Sequence, residues 1–430
     1  MSSFPFSHRS LVFLPLLALA AASALRAQES TTLSLSLRDA LERAEQRHPG
    51  LAALAFTARA AEGLIEQAGQ RPNPTLEIEA TDFTGTGALR GGHGLEATVE
   101  ASQTFERGGK REKRVAVAAR ERDAAAKAYA VQRAEVLTTV ASAFVDVAAA
   151  QQRVALAAEP LRFGRELLDL TERRVRAGEM SAAESARTKA SFATAKVDLA
   201  RAEADLITAR AKLAATWAGT AAEVPAVAVT WQVPETLAGE NGFIAKLSAH
   251  PRIAHRQALT EGRRAALELE QAQTTRDITV GGGLRFLRDG SDAGLVAGVS
   301  VPLPARHQNQ GNIRAAREVL AGAEHTVRAT ETELRAAFAA AWHEVQATHA
   351  AVHMLRREAL PATEDAHAIV RRAYDQGQAS LTDVFDVQRA LGALRRELFD
   401  AERAFVSAYV RAEALADAAF PATAALLSPR

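Results

Sequence analysis

The sequence predicts a mainly α-helical protein with a small β part, built from two internal repeats. Three observations predict it. First, motifs recur: His48-Pro49-Gly50 opens one helical stretch and His250-Pro251-Arg252 another. Glu172-Arg173-Arg174-Val175-Arg176-Ala177-Gly178-Glu179-Met180-Ser181 returns as Val370-Arg371-Arg372-Ala373-Tyr374-Asp375-Gln376-Gly377-Gln378-Ala379-Ser380, with Pro160 and Pro361 at matching places upstream. A repeat of this size makes the half the unit to be understood. Second, alanine is abundant while aromatic residues are only 5%, which favours helices that approach one another closely. Third, four short segments alternate apolar and polar residues with the period of a strand.

The N-terminal residues predict a secretory signal. His8 and Arg9 precede an apolar run from Leu11 to Leu25, and small residues end at Ala27. Cleavage is expected after Ala27, with Ala24 as the alternative. The run contains Pro15 and is shorter than the roughly 20 residues of a spanning helix; a retained anchor is the competing reading. No other stretch is apolar enough to span as a helix. The chain has no cysteine, so disulfides, thiolate metal sites and an N-terminal lipidated cysteine are excluded. A formal charge of +1 gives no hint of nucleic-acid binding.

The elements follow in order. Residues 28–218 form the first repeat. Leu37–Gln46 and Leu51–Gln70 read as helices, stopped by His48-Pro49 and by Arg71-Pro72-Asn73-Pro74. A β-hairpin is expected over 75–105. Leu76, Ile78 and Ala80 alternate with Glu77, Glu79 and Thr81; Leu95, Ala97, Val99 and Ala101 alternate with Glu96, Thr98, Glu100 and Ser102. A helical hairpin fills 109–217, with Pro160 as a kink candidate and Gly178 at its turn. Its outward arm reaches roughly 100 Å at about 1.5 Å per residue. Residues 219–242, with Pro225 and Pro234, lack a period and read as a linker. The second repeat, 243–420, carries a β-hairpin at 277–303 and a helical hairpin at 311–420 turning at Gly377. A frayed tail is expected over 421–430.

Strands of this length suit a tilted crossing of a bilayer, and one apolar plus one polar face is the pattern of a membrane barrel with a wet lumen. A small soluble sheet packed on a core is the alternative. Closed barrels start near ~8 strands, and an open edge cannot sit in lipid. Membranous strands therefore require several chains to pool them. The long hairpins, rich in alanine and in charged residues, cannot bury their apolar stripes within one chain and need neighbouring hairpins, most simply around a ring.

Phe105-Glu106-Arg107-Gly108-Gly109-Lys110-Arg111 enters one long helix, and Pro302-Leu303-Pro304-Ala305-Arg306-His307-Gln308-Asn309-Gln310-Gly311-Asn312-Ile313 enters the other. With the two Gly-centred turns, these motifs resemble the TolC family of outer-membrane efflux ducts, and within it the CzcC-like branch serving cation export. The resemblance covers nearly all of the chain after the signal. It implies a homotrimer whose chains each give four strands to a 12-stranded outer-membrane β-barrel, continued by an α-helical coiled-coil tunnel in the periplasm. It also implies docking to a periplasmic adaptor (a membrane fusion protein) and to an inner-membrane RND-type, proton-driven pump.

Individual residues take roles on this frame. Gly178 and Gly377 supply positive φ at the turns, which the resemblance makes the adaptor-docking tip. Ser181-x-x-Glu184 and Ser380-x-x-Asp383 have capping-box spacing. Asp383 and Asp386 share a helix face. By resemblance they line the periplasmic entrance with Glu184 nearby, and Tyr374 helps hold it shut. A ring of acids favours cations, and mutual repulsion is expected to raise at least one pKa. Cap plus solvated helix start is the alternative for the same acids. Ala379 stands where some members carry a basic residue, which puts a closing salt bridge there in doubt. Glu77, Glu79, Glu96 and Glu100 are expected to face the barrel lumen. His343, His349 and His353 lie on one helix, and the last two have metal-compatible spacing; they are read as ordinary surface histidines. Glu45-x-x-His48 and Glu364-x-x-His367 echo di-iron ligands but lack partner glutamates. No cofactor and no resident metal is expected, and no catalytic set is present. The function expected is a passive exit duct, most simply for divalent metal cations. A duct for drugs, a soluble periplasmic scaffold and a di-iron bundle enzyme are the rivals.

Overall fold

The computed structural model describes residues 34–427, apart from 228, 304–305 and 417–418. The expected signal segment at 1–27 lies outside the described residues, as do Pro304 and Ala305 of the second entry motif. The elements are α1 (Leu37–Arg47), α2 (Pro49–Ala68), β1 (Thr75–Thr81), β2 (Glu96–Phe105), α3 (Lys110–Arg176), α4 (Ala182–Ala215), α5 (Asn241–Leu247), α6 (Pro251–Ala272), β3 (Ile278–Leu287), β4 (Asp292–Ser300), α7 (Gln310–Met354), α8 (Leu360–Asp375), α9 (Leu381–Ala414) and α10 (Pro421–Leu426).

The recurrent His-Pro pairs are helix starts. Proline at the first helical position has no N–H to lose. The imidazole before it caps the orphan amides: His48 Nδ1 accepts from the N–H of Gly50 at 3.1 Å and of Leu51 at 3.4 Å, and His250 Nδ1 accepts from Arg252 N–H at 3.1 Å. Burial lowers the His250 pKa, which keeps its ring in the neutral, accepting form.

The four strands form one antiparallel sheet in the order β1-β2-β3-β4. Opposed residues share a face. Leu76 opposes Ala101, Ile78 opposes Val99, Val99 opposes Leu284, and Leu284 opposes Leu295. These residues, with Phe286, Val280 and Val299, make a continuous apolar face. Among the described residues nothing covers it: Ile78 is 72% exposed, Val299 70% and Leu295 88%. Both edges, β1 and β4, are unpaired among the described residues.

Each sheet-to-helix crossing uses a left-handed residue just before the long helix. Gly109 has φ 69° ahead of α3, and Asn309 has φ 61° ahead of α7; asparagine is the side chain that tolerates this region best. The Asn309 amide donates to Glu270 O at 2.8 Å, and Asp277 Oδ1 accepts from Arg107 N–H at 3.0 Å and Lys110 Nζ at 2.8 Å. The strands are thus pinned to the helices that leave them.

At 67 residues, α3 spans about 100 Å and runs through Pro160 as a single helix. The opposite arm accommodates Pro361 differently. A π-helical turn, Leu355–Ala359, separates α7 from α8, with Leu360 N–H bonded to Leu355 O. A residue without an N–H at 361 leaves a gap in the α-helical ladder, and one wide turn is a known way around it.

The main core lies where α1, the middle of α3, the end of α4, α7 and α9 converge. Leu137, Val140, Phe144, Leu213, Phe338, Trp342, Val345 and Phe405 are buried there. Residues 219–242 are not a loose connection. Val224, Val227 and Val233 insert into this core, and the Gln151 side chain pairs with both backbone groups of Val227, at 2.8 and 3.0 Å. The C-terminal segment also departs from the expected frayed tail. Glu413, 1% exposed, accepts from Ala422 N–H, Thr423 N–H and the Thr423 hydroxyl at 2.6–2.7 Å, which starts α10. A buried carboxylate at a helix N-terminus is well compensated.

Candidate functional site

The candidate groups lie at two ends of the chain. At the sheet end, the face opposite the apolar one holds Thr75, Glu77, Glu79 and Thr81 on β1, and Glu96, Thr98, Glu100 and Ser102 on β2. All four predicted acids therefore share one face. Glu77 sits directly opposite Glu100, and Glu79 opposite Thr98. Like charges in direct opposition destabilise a sheet unless water or cations screen them. On β3 the neighbours of Glu100 shrink to glycine: a side chain at Gly281 would meet the Glu100 carboxylate at 2.1 Å. Arg285, which sequence reasoning passed over, lies on this same face. It approaches Glu96 at 3.6 Å and donates to the Thr98 hydroxyl at 3.3 Å.

At the far end, the two turns have the same construction. Glu179 N–H bonds to Arg174 O at 2.9 Å, and Gln378 N–H to Ala373 O at 2.8 Å. Gly178 and Gly377 both have φ 75°. This is the helix-ending motif in which the residue after the C-cap must be left-handed. The following helices start with full capping boxes. Ser181 N–H and Oγ each lie 3.1 Å from Glu184 Oε2; Ser380 N–H and Oγ donate to Asp383 Oδ2 at 2.8 and 2.7 Å.

The acids of the tip are therefore not equivalent. The Ser380 hydroxyl, then its backbone N–H, lowers the Asp383 pKa below the ordinary carboxylate value. That is opposite to the upward shift expected from carboxylate repulsion. Within one chain, hydrogen bonding to the ionised form prevails. Asp386 is ion-paired with Arg389 on the next turn, both exposed. Tyr374 accepts a hydrogen bond from Arg174 Nη1 at 2.9 Å, and Arg187 Nη1 donates to the Thr382 hydroxyl at 3.2 Å. These two contacts tie α3 to α8 and α4 to α9. Both arginines come from the first hairpin and both acceptors from the second, so the two tips are joined by hydrogen bonds to hydroxyls. Neither arginine was singled out from sequence.

The di-iron alternatives dissolve. Glu45 is paired with Arg133 at 2.6 and 2.9 Å, which lowers its pKa, and Glu364 is paired with Arg395. His343 faces Gln346, away from His349 and His353, whose rings meet. Among the described residues no group of three or more metal-binding side chains forms, and no helix is long and apolar enough to cross a membrane.

A sheet with one bare apolar face, joined to helices of about 100 Å, defines a membrane-seated channel protein with a helical extension. Profile comparison gives the family: the "Outer membrane efflux protein" pattern matches residues 40–219 and 247–416, and the chain belongs to that family. It is an outer-membrane efflux channel reaching into the periplasm, and not an enzyme. The cobalt-zinc-cadmium resistance protein CzcC of Cupriavidus metallidurans is 27% identical over 357 residues, 83% of this chain and 84% of that one. The nickel and cobalt resistance protein CnrC of the same organism is 32% identical over 291 residues, 67% of this chain and 68% of that one. Among solved structures, the CusC channel superposes with TM-score 0.72 at 16% identity, covering 89% of this chain and 92% of the other. VceC from Vibrio cholerae gives 0.70 at 20% identity, covering 88% and 96%. At these identities the two structures speak for the fold.

Proposed function

We propose that this channel is the outer-membrane exit duct of a tripartite system that expels divalent metal cations. The observation that carries the reading is the sheet. Its apolar face is bare and suited to lipid, while Glu77, Glu79, Glu96 and Glu100 gather on the other face. The names of the two metal-resistance relatives favour the same cargo. In this reading three chains, each built as two repeats, close a 12-stranded barrel. The four acids face its lumen, where the Glu77–Glu100 opposition is relieved by passing cations. The turns at Gly178 and Gly377 meet a periplasmic adaptor, and an RND-type pump in the inner membrane supplies the energy. Asp383, Asp386 and Glu184 lie at the entrance, which Tyr374 and Arg174 help to hold closed.

Deleting the gene tests the cargo. The expected result is raised sensitivity to zinc, cobalt, nickel or cadmium salts, restored by the wild-type chain. Unchanged metal tolerance with raised sensitivity to organic drugs would overturn the metal reading and favour a drug duct.

A further inference from the structure

The histidine pair on α7 does something the sequence did not reveal. His349 and His353 are one turn apart, with ring centroids 4.3 Å from each other. Their Nε2 atoms are 3.0 Å apart, and both point at the carbonyl oxygen of Pro234 in the 219–242 segment, at 2.7 and 3.2 Å. No assignment of ring protons makes all three separations hydrogen bonds. With hydrogen on both Nε2 atoms, each can donate to the carbonyl, but the two N–H groups then face each other at 3.0 Å. With hydrogen on one only, the other nitrogen directs a lone pair at the carbonyl lone pairs. Three lone pairs converging on one point are what a cation satisfies. Atoms at these separations lie on a circle of about 1.7 Å radius, so an ion at the ~2.0–2.1 Å typical of zinc bonds sits about 1 Å off their plane, on the side open to further ligands.

We propose that His349 Nε2, His353 Nε2 and the Pro234 carbonyl bind one divalent transition-metal cation, clamping the 219–242 segment to α7. Two imidazoles select the borderline metals, zinc, cobalt, nickel or copper, over calcium and magnesium. Both histidines and Pro234 are only half-buried and Glu235 beside them is exposed, so water can complete the coordination. Glu235 is itself engaged by Arg357. The π-helical turn Leu355–Ala359 begins two residues after His353; such turns recur at functional sites. The clamp is a resident site, independent of which cargo passes through the duct.

The test uses the tag-free full chain purified in detergent, with zinc chloride and cobalt chloride as probes. Equilibrium dialysis is expected to give one ion per chain at this site. His349→Gln and His353→Gln should each weaken binding at least about tenfold, since even outer-shell losses cost 10–100-fold. His343→Gln, on the same helix but turned away, should bind as wild type. Zinc should also slow proteolytic cleavage within residues 219–242 of the wild type but not of the double variant. X-ray absorption of the zinc-loaded wild type, which needs no variant to fold, should show two imidazoles with oxygen completing the shell. Absence of stoichiometric binding at millimolar zinc, undiminished binding by a folded double variant, or a spectrum without two imidazoles would each leave only a hydrogen-bonded histidine pair and overturn the site.

Discussion

Asp386 and Arg389 show how one contact alters the reading of an acidic residue. Asp383 and Asp386 share a face, yet the first is held by its own capping box and the second by an arginine one turn on. If Asp386 serves the entrance, its charge is partly neutralised at rest. Arg389→Ala should then strengthen cation preference and block by trivalent cations in planar bilayers, and Asp386→Asn should weaken both. Identical block in wild type and both variants would remove Asp386 from the entrance. The pH dependence follows from Asp383. Its folded pKa is depressed, so its contribution is fully present above the ordinary carboxylate value of 3.8. It is lost only as pH falls through the lower, folded value. Conductance controlled by this residue should be flat from neutral to mildly acidic pH. The capping acids Glu184 and Asp383 were legible because carboxylates at capping spacing are local patterns. Arg174 and Arg187 were not, because their partners lie 200 and 195 residues away in the chain. The Pro234 carbonyl was invisible for the same reason: main-chain atoms leave no mark in composition.

The turns and helix ends divide into what local sequence dictates and what packing dictates. Gly178 and Gly377 were readable because a left-handed position after a long helix demands a residue without Cβ. A side chain at Gly377 would meet nothing nearby, so backbone conformation alone sets the cost of replacing it. Gly377→Val should therefore disturb the tip by about 1–2 kcal/mol, whereas Gly377→Asn should be tolerated. Export measured for the two variants, with barrel assembly checked by heat-modifiability on gels, separates backbone strain from a need for a bare turn surface. Equal loss in both variants would point to the surface. The tail was misjudged because its anchor is tertiary. Residues 421–426 carry no strong helix signal alone; they become α10 with Glu413 waiting at their N-terminus. Glu413→Ala should strand the Ala422 and Thr423 donors and cost about 3 kcal/mol. A thermal melt of the detergent-solubilised protein reads this loss, and an unchanged melt would mean that α10 is dispensable. The 219–242 segment connects the repeats but does more than connect: valines without a period carry no secondary-structure signal, yet three of them complete the core.

At the scale of the whole molecule, the sheet cannot be the finished structure. Its apolar face is bare and its two edges, β1 and β4, are open; an open edge in lipid leaves backbone groups unpaired at several kcal/mol each. The simplest closure sets β1 of one chain beside β4 of the next, repeated around three chains. The absence of native cysteine makes this directly testable. Ile78→Cys on β1 and Leu295→Cys on β4, placed in one chain, present the only thiols, both on the apolar face. Within a chain two strands intervene, so these positions are roughly 14 Å apart at about 4.8 Å per strand. A thiol crosslinker spanning about half that distance cannot bridge them internally, but it can bridge neighbours paired edge to edge, where adjacent strands are about 4.8 Å apart. Crosslinking in outer-membrane vesicles should therefore give dimers and then trimers on denaturing gels, with trimers as the end point. Each single-cysteine variant should stay monomeric, because its thiol meets no partner thiol at the shared edge. A ladder running past trimers would mean a larger ring. Persistent monomers from the double variant, with both thiols shown to be reactive toward a maleimide, would mean that these two positions do not meet between chains. Moving the β4 cysteine along the strand to Ala293, Ala297 or Val299 then tests the other registers that barrel shear allows.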